Sequence, residues 1–147
     1  MIFIDEESQS IEIKIVSYQF PTNFTNVEDA NWLNIFICVH SKIGNWQVVD
    51  PALTTWEFNE LILWFETLSN NQKPTYSTLT FTEPNLSFEL LNGYDEEIKQ
   101  IRIRLNAECK PKRFKTPVFF DFKFDANKLK TVTEELKKNL QSFPEKK

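Results

Sequence analysis

Alternation of apolar and polar residues with a period of two recurs along this chain and constrains its fold more than any other feature. Ile11, Ile13 and Ile15 are separated by Glu12 and Lys14, so an extended segment here has one apolar face and one charged face. Further strands are predicted over residues 32–39, 46–49, 78–81, 86–91, 98–107 and 118–124. The strand over 32–39 is apolar on both faces, which is typical of a central strand covered on each side.

Turn and loop signals separate these strands. The alternation changes face after Val16, which indicates a bulge or the end of the strand before Pro21. Residues 22–31 have no period and are predicted to form a loop. Asn92-Gly93 is the strongest signal for a tight hairpin in the chain. Because hairpins join most neighbouring strands, we expect antiparallel pairing.

Two helices are predicted between and after the strands. Asp50-Pro51 is predicted to end the strand over 46–49, and Thr54 with Glu57 three positions later fits a capping box at the start of a helix. That helix has an apolar stripe formed by Phe58, Leu61, Ile62, Phe65 and Leu68. Asp125 can cap a second helix at the end of the chain. The stripe of the second helix contains Leu129, Val132, Leu136, Leu140 and Phe143.

These elements together predict an α+β fold. We expect a single, mainly antiparallel β-sheet of about six to eight strands, with two α-helices packed against it. The length of 147 residues is that of one domain, so residues 1–147 are assigned to a single domain.

Composition and charge favour a soluble cytoplasmic protein with a protein partner. The net charge of −4 disfavours nucleic acid, whose phosphates require a basic face, and is compatible with a basic protein. No apolar run is long enough to span a membrane, and the N-terminus lacks the basic-then-apolar order of a secretory signal. Cys38 and Cys109 are therefore expected to be reduced, buried thiols.

The sequence offers no reactive constellation. The two glycines, Gly44 and Gly93, both fall in predicted turns, so no glycine-rich phosphate loop can form. A single histidine, His40, and two cysteines do not make a four-ligand zinc site. The paired carboxylates are expected to be solvated. We therefore predict a binding protein, with no enzymatic activity, no metal and no cofactor.

Two segments, residues 45–57 and 81–89, are richer in turn, capping and aromatic residues than a scaffold requires. The run Thr82-Glu83-Pro84-Asn85-Leu86-Ser87-Phe88-Glu89, Trp46 before Asp50-Pro51, Thr55-Trp56-Glu57 and Asn31-Trp32-Leu33-Asn34-Ile35 together resemble the WapI family of bacterial immunity proteins. The resemblance covers residues 11–143.

The resemblance implies a cytoplasmic antidote that binds the toxic C-terminal domain of a contact-dependent or cell-wall-associated toxin. Such toxins are often nucleases, and the antidote would occlude the active site or a substrate surface. A basic nuclease cleft is best matched by exposed carboxylates beside an aromatic anchor. The predicted partner-binding residues are Trp46, Asp50, Trp56, Glu57, Glu83, Asn85, Asp95, Glu96 and Glu97. Each of those in the two segments also has a structural interpretation, as a turn, a cap or a lid on the core.

Two other functions stay open at the level of sequence. A small-molecule-binding or hydrolytic domain would have a pocket between the sheet and the central helix, lined by Trp32, Phe36, Trp56 and Phe65. A structural or assembly subunit would associate through its edge strands. The sequence predicts neither the oligomeric state nor the identity of the toxin.

Overall fold

The polypeptide divides its strands between two sheets. In a computed structural model, which describes residues 1–5, 7–22 and 26–147, the chain forms an α+β fold with eight strands and three α-helices. Sheet 1 has the order β1-β2-β3-β4 and sheet 2 the order β5-β6-β7-β8. Every neighbouring pair is antiparallel. The antiparallel prediction is confirmed, and the prediction of a single sheet is wrong.

Sheet 1 comprises β1 (Ile2–Ile4), β2 (Ser10–Tyr18), β3 (Trp32–Ser41) and β4 (Gly44–Thr54). The change of face after Val16 corresponds to a register shift between Ile15 and Ser17, so the predicted bulge is confirmed. One face of β3 is buried and the other is only half-buried, so the prediction of a strand covered on each side is wrong.

The prediction that Asp50-Pro51 ends the strand is also wrong, because β4 continues to Thr54. Pro51 is tolerated because β4 is an edge strand and because the β3–β4 register shifts between Leu33 and Ile35, opposite this point. A missing N–H at an edge or a bulge removes no interior ladder bond.

Sheet 2 comprises β5 (Thr78–Leu79), β6 (Leu86–Leu90), β7 (Lys99–Leu105) and β8 (Val118–Phe124). A 3-10 turn at Ala107–Cys109 follows β7. Asn92-Gly93 does not form a tight hairpin. Instead, Asn92 donates from Nδ2 to the Ile98 carbonyl and accepts at Oδ1 from the Gln100 N–H, both at 2.9 Å, which holds open a longer loop.

The helices are α1 (Val27–Ala30), α2 (Thr55–Ser69) and α3 (Ala126–Gln141). The capping box of α2 is present, and Asp125 caps α3, as predicted. The prediction of two helices is wrong in number, because the short α1 is a third helix. It lies within the predicted loop over residues 22–31, of which residues 23–25 lie outside the described part of the chain. Asn26 starts α1 by accepting the Asp29 N–H at 2.8 Å.

Phe3 of β1 holds the two sheets together. Its ring is fully buried and lies 5.6–6.5 Å from the rings of Phe65, Phe88, Phe122 and Phe124. These rings come from α2, β6 and β8, so the buried faces of both sheets and of α2 and α3 form one hydrophobic cluster. The helices and sheet faces that position the candidate site are therefore fixed by a shared core.

Candidate functional site

Asp50 and Asn85 form a buried polar contact between the two sheets. Asp50, near the end of β4, is 7% exposed, and Asn85, just before β6, is 6% exposed. The Asn85 Nδ2 donates to Asp50 Oδ2 at 2.8 Å across 35 positions of sequence. A buried carboxylate requires such a donor, so this pair has a structural role.

Glu57 is engaged at both carboxylate oxygens. Its Oε2 accepts the Thr54 N–H at 3.0 Å, which closes the capping box, and its Oε1 accepts the Thr82 N–H at 2.9 Å. The residue therefore fixes the start of α2 and ties the loop before β6 to it. This is the capping role that sequence predicts, extended to a second segment.

Trp46 is a lid on the core rather than a free anchor. Its half-buried ring packs against Phe114 and Phe120 at 6.0 and 6.2 Å. Its Nε1 donates to the Cys109 carbonyl at 3.0 Å. Burial, with the nearby charges of Asp50 and Glu108, raises the pKa of the Cys109 thiol to about 12, so this cysteine is unreactive near neutral pH.

We call Trp46, Asp50, Glu57 and Asn85 the inter-sheet joint. Trp46, Asp50 and Glu57 belong to sheet 1 or α2 and contact segments on the side of sheet 2, and Asn85 is the partner of Asp50 on that side. The other candidates are exposed: Trp56 on the first turn of α2, Glu83 in the loop before β6, and Asp95, Glu96 and Glu97 in the loop between β6 and β7. Asp50 and Asn85 are buried and Trp46 and Glu57 are half-buried, so the second group is the more accessible to a partner.

A groove lies between α2 and the segment that leads into β5, and none of the predicted partner-binding residues lines it. The α2 groove has a volume of about 370 Å³ and is lined by Glu60, Leu63, Trp64, Thr67, Pro74, Thr75, Tyr76, Thr78, Leu79 and Thr80. The Trp64 Nε1 donates to the Tyr76 carbonyl at 2.9 Å, which joins the helix wall to the loop wall. Leu63 is 52% exposed and Tyr76 is 67% exposed, so the groove has an accessible apolar lining.

Acidic side chains lie beyond both ends of the α2 groove. At the N-terminal end of α2, the Glu57–Thr82 bond brings Glu83 close to the first turn, which carries Trp56. At the C-terminal end, the Lys99 Nζ donates to Asn71 Oδ1 and to the Glu96 carbonyl, each at 2.9 Å. Lys99 therefore ties the loop of Asp95, Glu96 and Glu97 to the end of the helix.

Sequence reasoning missed the residues that form the groove itself. Leu63 lies outside the apolar stripe of α2, and an exposed leucine off the stripe is a weak signal of a surface contact. Tyr76 lies in a loop without any motif, and only the fold places it beside Leu63.

The lining predicted for the pocket of a small-molecule or hydrolytic domain is wrong. Phe65 is fully buried in the core, whereas Trp32 and Phe36 lie on the half-buried face of β3, opposite its buried face. Trp56 is exposed on α2. Phe65 therefore lies on the opposite side of sheet 1 from Trp32 and Phe36, and the four side chains do not line one cavity.

Residues 1–5, 7–22 and 26–147, which the structure describes, contain neither a metal-binding cluster nor a membrane-spanning helix. Within that part of the chain no three His, Cys, Asp or Glu side chains are grouped closely enough to hold a metal ion. None of the helices described there combines the length and apolar character needed to cross a membrane.

Comparison with known proteins gives one match. A family model described as the immunity protein WapI-like family matches residues 1–144. The match takes in β1 and extends from there to the chain beyond α3, so it covers both sheets and the α2 groove. Comparisons with curated proteins and with solved structures found no match.

Proposed function

The chain belongs to the WapI-like immunity protein family, and from this premise we propose that it binds and neutralises the toxic C-terminal domain of a cognate bacterial toxin. The observation that carries the proposal is the division among the polar residues. The polar residues of the inter-sheet joint form hydrogen bonds with one another or with backbone groups. Glu83, Asp95, Glu96 and Glu97, in contrast, are exposed toward the two ends of the helix that carries the apolar groove.

The chemistry of this surface favours a basic partner, and we infer that the toxin is a nuclease. A nuclease binds phosphates through lysine and arginine side chains, so its active-site cleft is positively charged. Carboxylates on a rigid surface can occupy such a cleft and exclude the substrate. Opposite charges also accelerate association, which an antidote requires if it is to act before the toxin does.

On this proposal the protein acts in the cytoplasm as a stoichiometric inhibitor. It needs neither a cofactor nor catalysis, because occlusion of the toxin's cleft is sufficient. Trp56 is the proposed aromatic contact, since it is 36% exposed on the first turn of α2, whereas the Trp46 indole is already bonded to the Cys109 carbonyl.

Co-expression tests the proposal. The C-terminal domain of a candidate bacterial toxin is induced in a bacterial host with and without this chain. A large toxin encoded directly upstream of this chain's gene, where one is present, is the first candidate to test. We expect the wild-type chain to restore growth and to co-purify with the toxin domain. Growth arrest that the folded wild-type chain cannot relieve, together with the absence of a complex, would overturn the proposal.

Charge reversal of Asp95, Glu96 and Glu97 to lysine should abolish the rescue. The control is the same reversal at Glu28, Glu134 and Glu135, which are also exposed but lie on α1 and α3. Both triple variants change the net charge equally, so only a local contact explains a loss confined to the first.

A further inference from the structure

We propose that the α2 groove receives one apolar side chain of the toxin domain, flanked on the toxin by lysine or arginine residues. This inference rests on the proposed function and names the anchor point of that interface. It adds Leu63, Trp64, Tyr76 and Glu60, none of which the sequence singles out, to the surface that meets the partner.

The groove is suited to an apolar side chain. Leu63 and Tyr76 form its accessible walls, and Leu79 lies buried beneath them. Trp64 is only 5% exposed and its indole N–H is bonded to the Tyr76 carbonyl, so its ring forms part of the apolar floor of the groove without an unpaired donor. A volume of about 370 Å³ is large enough for one large side chain.

The floor of the groove is held in place before any partner binds. The Trp64 ring packs edge-on against Phe65 at 5.2 Å and lies 6.3 Å from Phe88, both of which are fully buried. A preformed groove loses little conformational entropy when it is filled, and hot spots of binding energy concentrate in such pockets.

Charge selects the residues on either side of the anchor. Glu60 is the one charged residue among those that line the groove, and Glu83 is the carboxylate toward one end. Toward the other end, the three exposed carboxylates of Asp95, Glu96 and Glu97 outnumber two cations, the exposed Lys73 and the buried Lys99. Lysine or arginine beside the anchor would meet opposite charge, and acidic residues would be repelled. The occupant is therefore a basic segment with an apolar centre.

The first test uses two synthetic peptides and does not require the toxin. The peptide Lys-Lys-Phe-Leu-Lys-Lys is titrated into the full 15N-labelled chain, and Glu-Glu-Phe-Leu-Glu-Glu is the control of equal size and opposite charge. We expect the basic peptide to shift the indole N–H signal of Trp64 and the amide of Tyr76 more than the indole signals of Trp32 and Trp46. Equal effects of both peptides, or shifts confined to another surface, would overturn the inference.

The second test measures affinity for the toxin domain named above. Leu63→Lys places a cation in the groove, and Val49→Lys is a matched control, because the two residues are 52% and 53% exposed and Val49 lies on the outer face of β4. We expect Leu63→Lys to weaken binding roughly 30-fold or more, and Val49→Lys to change it by less than about three-fold. Both variants should unfold at the wild-type temperature.

Failure of the groove inference and failure of the proposed function give different experimental results. If the wild-type chain binds the toxin domain and Leu63→Lys binds it equally well, the groove inference is wrong and the proposed function stands. If the wild-type chain does not bind, the proposed function fails, and the peptide titration still decides whether the groove accepts a basic apolar segment.

Discussion

The inter-sheet joint and the α2 groove use similar residues for opposite purposes. In the joint, Asp50 and Glu57 are satisfied by the Asn85 side chain and by backbone N–H groups. Around the groove, Glu60 and Glu83 face solvent. A buried, fully bonded carboxylate stabilises the fold, whereas an exposed one contributes little to stability and is available to a partner. Substitutions in the two regions should therefore separate stability from binding.

The largest loss of stability is expected at the Asp50–Asn85 contact. Asn85→Leu has nearly the same volume but leaves the buried Asp50 carboxylate without its donor. We expect the free energy of unfolding in urea to fall by about 2–4 kcal/mol. Glu83→Gln, two positions away and exposed, should change it by less than about 0.5 kcal/mol. Equal effects would mean that the joint is not a structural element.

A smaller loss is expected at the start of α2. Glu57→Ala removes the acceptors of the Thr54 and Thr82 N–H groups and should lower the free energy of unfolding by about 1–2 kcal/mol. Glu60→Ala on the same helix should leave stability within about 0.5 kcal/mol of wild type, because Glu60 is exposed. In toxin binding we expect the reverse order, with Glu60→Ala the weaker binder among folded molecules.

Trp46 and Trp56 show the same contrast between a residue that stabilises the fold and one that is available to a partner. Trp46→Phe keeps most of the ring packing and loses the bond to the Cys109 carbonyl, so stability should fall by about 1 kcal/mol. Trp56→Phe should have no measurable effect on stability, since Trp56 lies exposed on the first turn of α2. Thermal unfolding of the two variants measures the difference. If Trp56→Phe is the more destabilising change, Trp56 belongs to the scaffold.

Much of the fold follows from local pattern, because burial of one face of a strand or helix is written into its own residues. Val118, Phe120, Phe122 and Phe124 are buried as their alternation predicts. The division into two sheets does not follow from local pattern, because long-range contacts determine which strands pair with each other. β1 has no period in sequence, yet its Phe3 lies among rings from α2, β6 and β8.

The candidate site was likewise predictable only where local sequence pattern determines the structure. The exposure of Glu83, Asp95, Glu96 and Glu97 could be predicted, since loops lie on the surface. The burial of Asp50 could not, because its partner is 35 positions away and each residue alone resembles turn chemistry. The residues that resemble the immunity family most specifically include members of this joint, so a sequence signature can mark the scaffold as well as the interface.

The smallest effect on stability, and the most direct test of the contrast, is expected in the loop between β6 and β7. Neutralisation of Asp95, Glu96 and Glu97 to Asn, Gln and Gln removes three exposed charges and should leave the free energy of unfolding within about 0.5 kcal/mol of wild type. At low salt, association with the toxin domain should slow roughly ten-fold, because exposed charges steer encounter. The wild-type rate should fall toward that of the variant as salt screens the charges. Neutralisation of Glu28, Glu134 and Glu135 changes the net charge equally, so an equal loss of rate there would assign the steering to overall charge rather than to this surface.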